Sequence, residues 1–146
     1  MKKLRLALSL LVAVLAATLA AVPPAAALPL APAGAMYVTT ENPSSEQLGA
    51  QIAAISNPNN SDDDRRANVV GANGQYRPLY DLYFQYIRTV KAGDVSYELG
   101  QVQRNGDAVT VRIKSSAKGY GSFDENHYWL REDGRWKYDV VRWCKE

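Results

Sequence analysis

Few side chains in this sequence have the types and the spacing that catalysis or metal binding requires. The chain contains a single histidine, His127, and a single cysteine, Cys144. A structural zinc site takes four Cys or His ligands, and a nucleophilic triad takes a histidine placed between its nucleophile and an acid. These two residues supply neither arrangement, so we predict no metal ion and no other cofactor.

General acid–base catalysis is the one chemistry that the composition leaves open. It needs a base with a tuned pKa inside a cavity and a hydrogen-bond donor that faces the base. The candidate bases are His127, Asp124 and Asp139, and tyrosines are the candidate donors. A base works only where the fold brings it into a cavity, so the elements that carry these residues decide between catalysis and simple packing.

The tyrosines are concentrated in residues 75–91, QYRPLYDLYFQYIRTVK, which we call the tyrosine helix. Four of them recur at helical spacings: Tyr76, Tyr80, Tyr83 and Tyr86. Pro78 fits only the first turn of a helix, so we expect the regular part to begin near Arg77 and to end at Ala92-Gly93. One polar stripe should face solvent and comprises Arg77, Asp81, Gln85 and Arg88. The rest of the helix circumference is apolar, so we expect other parts of the protein to cover this helix on more than one side.

From Asp94 onwards, apolar and polar residues alternate with the period of a half-buried strand. The first hairpin can close in two ways. A three-residue loop with Gly106 in the left-handed conformation pairs Leu99 with Val111. A two-residue Asn-Gly turn needs an additional bulge at Gly100. We favour the three-residue loop because a single irregularity then accounts for the pairing.

The second hairpin turns at Glu132-Asp133-Gly134 and raises the same question. A three-residue loop, which we favour by analogy, turns His127 and Trp129 away from the face that carries Trp136. A two-residue Asp-Gly turn would instead bring both residues to that face. With the favoured register, the cavity loses His127 as a base, and Trp129 forms an exposed apolar patch through which we expect a homodimer on the outer sheet face. The two hairpins together predict a four-stranded antiparallel meander.

The first residues have the pattern of a secretory leader. A basic start precedes an uninterrupted apolar run, Leu6–Val22. Ala25-Ala26-Ala27 then offers the small residues at which a signal peptidase cuts, and Ala33-Gly34-Ala35 is a second motif of this kind. A retained membrane anchor is the alternative, but this run is short for a span of ~20 residues. We therefore predict a signal peptide at residues 1–27 and a secreted, extracellular or cell-envelope protein without a stable membrane span.

Removal of this leader changes the charge balance. The full chain has 17 basic and 15 acidic residues. The leader contains three of the basic residues, Lys2, Lys3 and Arg5, and none of the acidic ones. The mature chain would then have 14 basic and 15 acidic residues and a net charge of −1. A mature chain without excess positive charge lacks the surplus of Lys and Arg that binding to a phosphate backbone requires, so we expect no nucleic acid partner.

The mature chain should form one domain. Residues 28–42 are a Pro/Ala-rich tether that we expect to be disordered or loosely draped, and residues 43–146 form a single α+β domain. A serine at Ser44 or Ser45 caps a first helix, which ends before Asn57-Pro58. Cys144 cannot form an internal disulfide. It is either a half-buried hydrophobic residue on the last strand or an exposed thiol able to pair two chains.

The run NPNNSDDD at residues 57–64 crowds carboxylates and amides together and allows two interpretations. A calcium loop would need a glycine at its turning position and a glutamate at its far end, and both are missing. Ser61 followed by Asp62, Asp63 and Asp64 instead places an N-cap and three carboxylates at the positive end of a second helix. We favour capping, with this helix running over Asp62–Val70.

The order of a short helix, a second helix, a long helix and an antiparallel meander resembles the nuclear transport factor 2-like fold, also called cystatin-like. Within that fold, the chain resembles the secreted low-molecular-weight T-cell antigen family of actinobacteria. The motifs that carry the resemblance are Pro43-Ser44-Ser45-Glu46-Gln47-Leu48, Asn57-Pro58, Val69-Val70-Gly71, Ala92-Gly93-Asp94 and Gly134-Arg135-Trp136. The resemblance implies a cone-shaped α+β domain and an extracellular or cell-envelope protein, and the family has no established chemistry to carry over.

A cone of this kind leaves space between its helix and its sheet. The residues that we expect to line that space are Tyr80, Tyr83, Tyr86, Trp136 and Tyr138. Such rings either simply fill the core or bind a small apolar ligand through their flat faces and hydroxyl tips. We predict a secreted non-catalytic module that binds such a ligand or a protein partner. The alternative is a small isomerase-, dehydratase- or cyclase-type enzyme that uses the cone cavity.

Overall fold

The structure, a computed structural model, describes residues 31–89, 91, 94–119 and 121–145, with the side chains of Tyr86 and Ile87 outside the description. The predicted signal peptide, residues 1–27, lies outside the described residues. So does Ala92-Gly93, where we predict the end of the tyrosine helix. Among the helices of the described ranges, none is long and apolar enough to cross a membrane.

The described elements form an α+β domain around one antiparallel sheet, as predicted. In chain order they are a 3-10 helix (Ala33–Met36), α1 (Ser45–Ile55), α2 (Asp62–Ala67), α3 (Arg77–Ile87), β1 (Val95–Asn105), β2 (Ala108–Ala117), β3 (Gly121–Glu132), β4 (Arg135–Tyr138) and α4 (Val140–Trp143). The four strands pair in the order β1-β2-β3-β4, so each strand lies beside its neighbour in sequence. The predicted meander is therefore confirmed.

Helix α1 begins at a capping box, as its sequence predicts. The Ser44 hydroxyl accepts a hydrogen bond from the backbone N–H of Gln47 (3.2 Å), and the Gln47 side chain accepts one from the N–H of Ser44 (3.0 Å). These bonds satisfy N–H groups that have no partner within the helix. Leu48, Ile52 and Ile55 are all buried, so α1 packs its apolar stripe against the core.

Helix α2 has the predicted cap but ends earlier than predicted. The Ser61 hydroxyl accepts a hydrogen bond from the backbone N–H of Asp64 (3.1 Å), and the three aspartates occupy the first turn. The capping interpretation of the acidic run is confirmed. The helix stops at Ala67 because Val69 forms a parallel bridge with Tyr138 of β4, which requires extended backbone.

Helix α3 begins at Arg77, as predicted, and buries only one face. Tyr80 is 0 % exposed and Phe84 1 %, whereas Leu82 keeps 65 % of its surface accessible and Leu79 36 %. The expectation that several sides are covered is wrong. Leu82 follows Tyr80 by two positions, roughly 200° around the helix, so one packed layer cannot reach both residues. The polar stripe is exposed along its length, as predicted.

The first hairpin turns through Gly106-Asp107, with Asn105 opposite Ala108. The favoured three-residue loop is wrong, although Gly106 has the expected positive φ of 61°. The register shifts between Leu99 and Val102, so the bulge of the two-residue alternative is present, but its Asn105-Gly106 turn is wrong as well, because Asn105 is still paired. A Cβ atom on Gly100 would lie 2.8 Å from the Arg112 carbonyl oxygen, so only glycine fits this close approach.

Leu99 consequently pairs with Ile113 rather than with Val111. On the Leu99 side of the bulge this is a shift of two residues, which changes partners but keeps side chains on their predicted faces. On the turn side the bulge reverses the faces, so Val102 lies opposite Val111 and packs against the core.

The second hairpin turns through Asp133-Gly134, and its favoured register is wrong in a way that changes the faces. Asp133 and Gly134 have φ values of 53° and 74°, the positive pair that a type I′ turn requires. Trp129 therefore lies opposite Tyr138 and points inward, as does His127. Trp129 is 0 % exposed, so the apolar patch that motivates the homodimer is not on the outer face. The dimer stays a prediction without that support.

Residues 31–40, the N-terminal arm, pack on the domain rather than draping loosely. Met36 is fully buried, and Val38 forms an antiparallel bridge with Trp136 at the free edge of β4. The Ala31 carbonyl accepts hydrogen bonds from the side-chain amides of Asn57 (2.9 Å) and Asn60 (3.2 Å). The expected tether is therefore wrong from Ala31 onwards, because this edge strand offers unpaired hydrogen-bonding groups and because Met36 and Val38 bury apolar side chains in the core.

A buried glutamine joins the arm to the sheet. The Gln51 side chain donates to the carbonyls of Met36 (2.6 Å) and Trp136 (2.7 Å) and accepts from the indole N–H of Trp129 (2.8 Å). We call these four residues the Gln51 clamp. All of its members are 0 % exposed, so these three bonds replace the water that the polar atoms lose on folding.

The chain ends in a short helix where we predict a continuing strand. The Asp139 side chain accepts a hydrogen bond from the backbone N–H of Arg142 (3.0 Å) and caps helix α4. Cys144 lies at the end of this helix with an exposed thiol, so the half-buried strand position is wrong. A capping aspartate directly after Tyr138 competes with further strand pairing and turns the chain.

Candidate functional site

Five side chains, each from a different element, meet on the inner face of the sheet. We call them the inner aromatic cluster: Tyr83, Tyr97, His127, Tyr138 and Trp143. Helix α3 supplies the first, strands β1, β3 and β4 supply the next three, and α4 supplies the last. Strand alternation places the three strand residues on the helix-facing side of the sheet.

The centre of this cluster is a hydrogen-bonded histidine and tyrosine. The Nδ1 atom of His127 lies 2.6 Å from the hydroxyl oxygen of Tyr138, and both side chains are buried. The imidazole also stacks with two rings, with centroid distances of 5.8 Å to Tyr138 and 5.5 Å to Trp143. The indole N–H of Trp143 donates to the Glu125 carboxylate (2.8 Å), which fixes the outer ring.

Burial keeps the pair uncharged at neutral pH. It lowers the pKa of His127 to about 4, and the nearby Glu125 carboxylate opposes this only in part. Burial, together with the neighbouring Tyr83 and Tyr97 hydroxyls, raises the pKa of Tyr138 well above its usual range. Charged forms are disfavoured where water cannot solvate them. The site therefore presents a neutral imidazole and a neutral phenol.

The cluster is less tightly enclosed at its edges than at its centre. Tyr83, Tyr97 and Trp143 each keep part of their surface accessible, whereas His127 is 7 % and Tyr138 2 % exposed. Burial raises the pKa of the Tyr83 hydroxyl, and a hydrogen bond with Ser56 partly opposes the effect. The cluster therefore has a buried polar pair at its centre and partly accessible rings at its edges.

The structure separates the predicted site residues into different surroundings. Tyr83 and Tyr138 belong to the inner aromatic cluster. Tyr80 is fully buried, donates from its hydroxyl to the Val70 carbonyl (2.5 Å) and packs on Phe84. Trp136 is fully buried in the Gln51 clamp, and its indole N–H donates to the Thr40 carbonyl (2.9 Å). The side chain of Tyr86 lies outside the described residues.

The other two candidate bases have structural partners instead. Asp124 is exposed on the outer side of the sheet and accepts a hydrogen bond from Arg112 (2.8 Å), which lowers the pKa of the Asp124 carboxyl. Asp139 is buried, but its carboxylate caps helix α4. Of the three candidates, only His127 lies in the aromatic cluster.

Three cluster members were not predicted to line the site: Tyr97, His127 and Trp143. The sequence pattern could have predicted Tyr97, because this residue alternates with Ser96 and Glu98 on a strand whose inner face is apolar. His127 depends on the turn type of the second hairpin. Trp143 depends on α4, which turns the chain back over β3 only after Asp139 caps it.

Two shallow grooves on the surface are weaker candidates. One, of about 360 Å³, has Val70 and Val141 in its lining together with Tyr76 and Lys145, whose ammonium lies 5.2 Å from the Tyr76 ring centre. The other, of about 450 Å³, lies beside the exposed Leu82, and its charged lining residues Asp62 and Asp81 pair with Arg88 and Arg66. Neither presents a buried polar pair to a ligand.

Metal binding finds no support in the part of the chain that the structure describes. No group of three or more His, Cys, Asp or Glu side chains there is arranged to hold a metal ion.

Comparison with known proteins identifies the family. Neither a curated protein nor a solved structure matches the chain. A family model described as the low molecular weight antigen MTB12, C-terminal domain, matches residues 41–145, which include α1 to α4 and the whole sheet. The resemblance that the sequence motifs indicate is thus confirmed, and the chain belongs to the low molecular weight antigen MTB12 family.

Proposed function

We propose that this protein is a secreted, non-catalytic binding module that holds a small, flat, mainly apolar ligand at the inner aromatic cluster. The observation that carries the proposal is the uncharged His127–Tyr138 pair, stacked on Trp143 and surrounded by partly accessible tyrosine rings. In this proposal the domain is a cone of the nuclear transport factor 2-like type, and the cluster lies between its helix α3 and its sheet.

The composition of the cluster limits the ligand. Rings of Tyr83, Tyr97 and Trp143 offer apolar faces, which favour stacking with a planar group. The neutral His127–Tyr138 pair offers one hydrogen-bond donor or acceptor but no charge to neutralise an ion. An anionic ligand would lose its hydration without gaining a counter-ion, and the Glu125 carboxylate at the edge of the cluster already accepts from the Trp143 indole, so the proposal commits to an uncharged ligand.

The location of the protein is the second part of the proposal. The basic start, the apolar run and the small-residue motif at Ala25-Ala26-Ala27 support export. Membership in an antigen family supports an extracellular or cell-envelope location.

Native mass spectrometry of the protein recovered from its own growth medium tests the binding function. We expect an additional bound mass of a few hundred daltons on the wild-type chain. Tyr83→Ala should remove that mass because it deletes one stacking ring. Leu82→Ala is the matched control: it changes the neighbouring residue of the same helix, but on the exposed side, and should keep the bound mass. Equal occupancy in both variants would contradict the proposal.

An enzyme of the isomerase, dehydratase or cyclase type is the second candidate. The observation that favours it is the inward position of His127, which the favoured hairpin register had excluded. A general base working near neutral pH needs a pKa near 7, whereas burial lowers the pKa of His127 to about 4. NMR titration of this single histidine separates the two functions: a pKa near 7 would favour the enzyme.

A further inference from the structure

Strand β3 leads from solvent into the inner aromatic cluster. Its register with β2 has no shift, so Phe123, Glu125 and His127 alternate onto the same inner face of the sheet. Along that face the exposed fraction falls from 47 % at Phe123, through the partly buried Glu125, to 7 % at His127. The open end of the cluster therefore lies at Phe123 and its closed end at His127.

The closed end has a polar atom without a protein partner. The Nδ1 atom of His127 is bonded to the Tyr138 hydroxyl (2.6 Å), and no group of the described residues bonds to the second ring nitrogen, Nε2. The fully enclosed unpaired side-chain atoms of the described ranges belong to Arg66 and Asn68, so Nε2 keeps some accessible surface. Buried polar side chains are normally paired, so this nitrogen is available for a hydrogen bond with a ligand.

The hydrogen bond with Tyr138 determines what Nε2 offers. A phenol O–H is a stronger donor than a neutral imidazole N–H, so the Tyr138 hydroxyl donates and Nδ1 accepts. The ring is neutral because burial lowers the pKa of His127 to about 4. A neutral imidazole carries one proton, which then lies on Nε2. The closed end therefore presents one N–H donor, which suits an uncharged acceptor such as a carbonyl oxygen.

Glu125 provides the complementary group nearer the open end. The Oε2 atom of its carboxylate accepts from the Trp143 indole (2.8 Å), and a carboxylate has two oxygens that can each accept more than one hydrogen bond. Glu125 and His127 are two positions apart on the strand, so their side chains leave the sheet roughly 7 Å apart. The inner face of β3 thus offers a hydrogen-bond acceptor and a hydrogen-bond donor at two separate points.

We propose that the ligand of the inner aromatic cluster is a planar aromatic carbonyl compound that also carries a hydroxyl or N–H group. Its carbonyl oxygen accepts from Nε2 of His127, and its hydroxyl or N–H donates to the Glu125 carboxylate. Its ring lies against the partly accessible rings of the cluster. A carboxylate on the ligand is disfavoured, because Glu125 repels it and none of the five cluster side chains is cationic. This inference rests on the proposed function, since it names the ligand class of the same site.

The test uses three probes with one ring system. Umbelliferone has a carbonyl and a hydroxyl, coumarin lacks the hydroxyl, and a coumarin carboxylate adds a negative charge. Isothermal titration calorimetry measures their binding to the wild-type protein in a weakly acidic buffer, in which umbelliferone keeps its phenolic proton. We expect umbelliferone to bind about tenfold more tightly than coumarin, because it alone donates to Glu125. The carboxylate should bind more weakly than coumarin.

Three variants assign the two contacts. Glu125→Leu removes the acceptor, so umbelliferone should lose its advantage over coumarin. Asp124→Leu is the matched control, because this neighbouring carboxylate lies on the outer side of the sheet, and the advantage should remain. His127→Phe keeps a flat ring without the Nε2 proton, so both probes should bind at least about fivefold more weakly. Circular dichroism checks that each variant is folded, and the comparison of probes on the wild type needs no variant.

The outcomes separate this inference from the proposed function. Equal binding of umbelliferone and coumarin by the wild type would overturn the inference while leaving a site for planar ligands intact. An advantage of umbelliferone that persists in Glu125→Leu, or a carboxylate that binds more tightly than coumarin, would overturn it in the same way. If neither umbelliferone nor coumarin bound to the wild type, the proposed function itself would be contradicted, and this inference with it.

Discussion

Two regions of the same core show opposite ways of burying polar atoms. In the Gln51 clamp, one side chain makes three hydrogen bonds and every ring is fully enclosed. In the inner aromatic cluster, His127 has one hydrogen bond, to Tyr138, and three of the surrounding rings remain partly accessible. The clamp is fully enclosed, whereas the cluster has rings that solvent still reaches. The first region should therefore contribute mainly to stability, and the second is where the binding proposal can be tested.

The largest expected effect comes from breaking the clamp. Gln51→Leu leaves the Trp136 carbonyl and the Trp129 indole N–H without the partners that Gln51 supplies, and the Met36 carbonyl keeps only its bond from the Val38 N–H, so the free energy of unfolding should fall by about 5 kcal/mol. Urea unfolding followed by circular dichroism measures the change. Gln85→Leu, at an exposed position of α3, is the control and should alter stability by less than about 0.5 kcal/mol. A loss below 1 kcal/mol for Gln51→Leu would contradict a rigid clamp.

A second prediction compares two tyrosines of helix α3. Tyr80 is fully buried with its hydroxyl bonded to Val70, so Tyr80→Ala should cost about 4 kcal/mol. Tyr83 is partly accessible, so Tyr83→Ala should cost about 2 kcal/mol, since less apolar surface leaves the core. The same unfolding experiment compares them. If Tyr83→Ala were the more damaging change, the cluster would be core filling rather than a site.

The third prediction concerns pH and the single histidine. The folded pKa of His127 is lowered to about 4 from 6.5, so between these values the unfolded chain binds a proton that the folded chain does not. The contribution of His127 to stability should therefore be constant above pH 6.5 and fall as the pH drops towards 4. The total loss is about 3 kcal/mol at 1.36 kcal/mol per unit of pKa.

Urea unfolding across this pH range tests the prediction. His127→Asn keeps a hydrogen-bonding group near Tyr138 but does not titrate, so its stability should lose the part of the pH dependence that His127 contributes. An unchanged pH profile in this variant would mean that carboxylates, rather than the buried imidazole, cause the acid loss.

The smallest expected effect lies outside both regions. Leu82→Ser changes a side chain that is 65 % exposed, so the free energy of unfolding should change by no more than about 0.5 kcal/mol. A loss above 2 kcal/mol would show that Leu82 is covered in solution, for example by a second copy of the chain. Sedimentation of the wild type and this variant would then identify the assembly.

Local signals in the sequence predicted much of the fold. Ser44 and Ser61 cap the first two helices where the sequence places them, and Pro78 locates the first turn of the third. These features depend on neighbours within four residues, so the sequence contains all the information they need. The alternation of apolar and polar residues along each strand predicted the meander for the same reason.

The site itself was predicted only in part. Tyr83 and Tyr138 belong to the cluster, but His127 does not follow from the favoured second hairpin, nor Trp143 from the predicted last strand. Tyr97 was missed although its strand alternation places it on the inner face. A loop of two rather than three residues reverses every inward and outward position on β3.

By itself, the sequence determined the class of the fold, an α+β chain with an antiparallel meander, and a family membership carried by short motifs. Only the tertiary structure decided the interior. The type I′ turn at Asp133-Gly134 exists because Trp129, once inward, finds Gln51 as a partner and Tyr138 as a neighbour. Those contacts join residues far apart in the chain. Their energy selects between two turn types whose free energies are nearly equal in the local sequence alone.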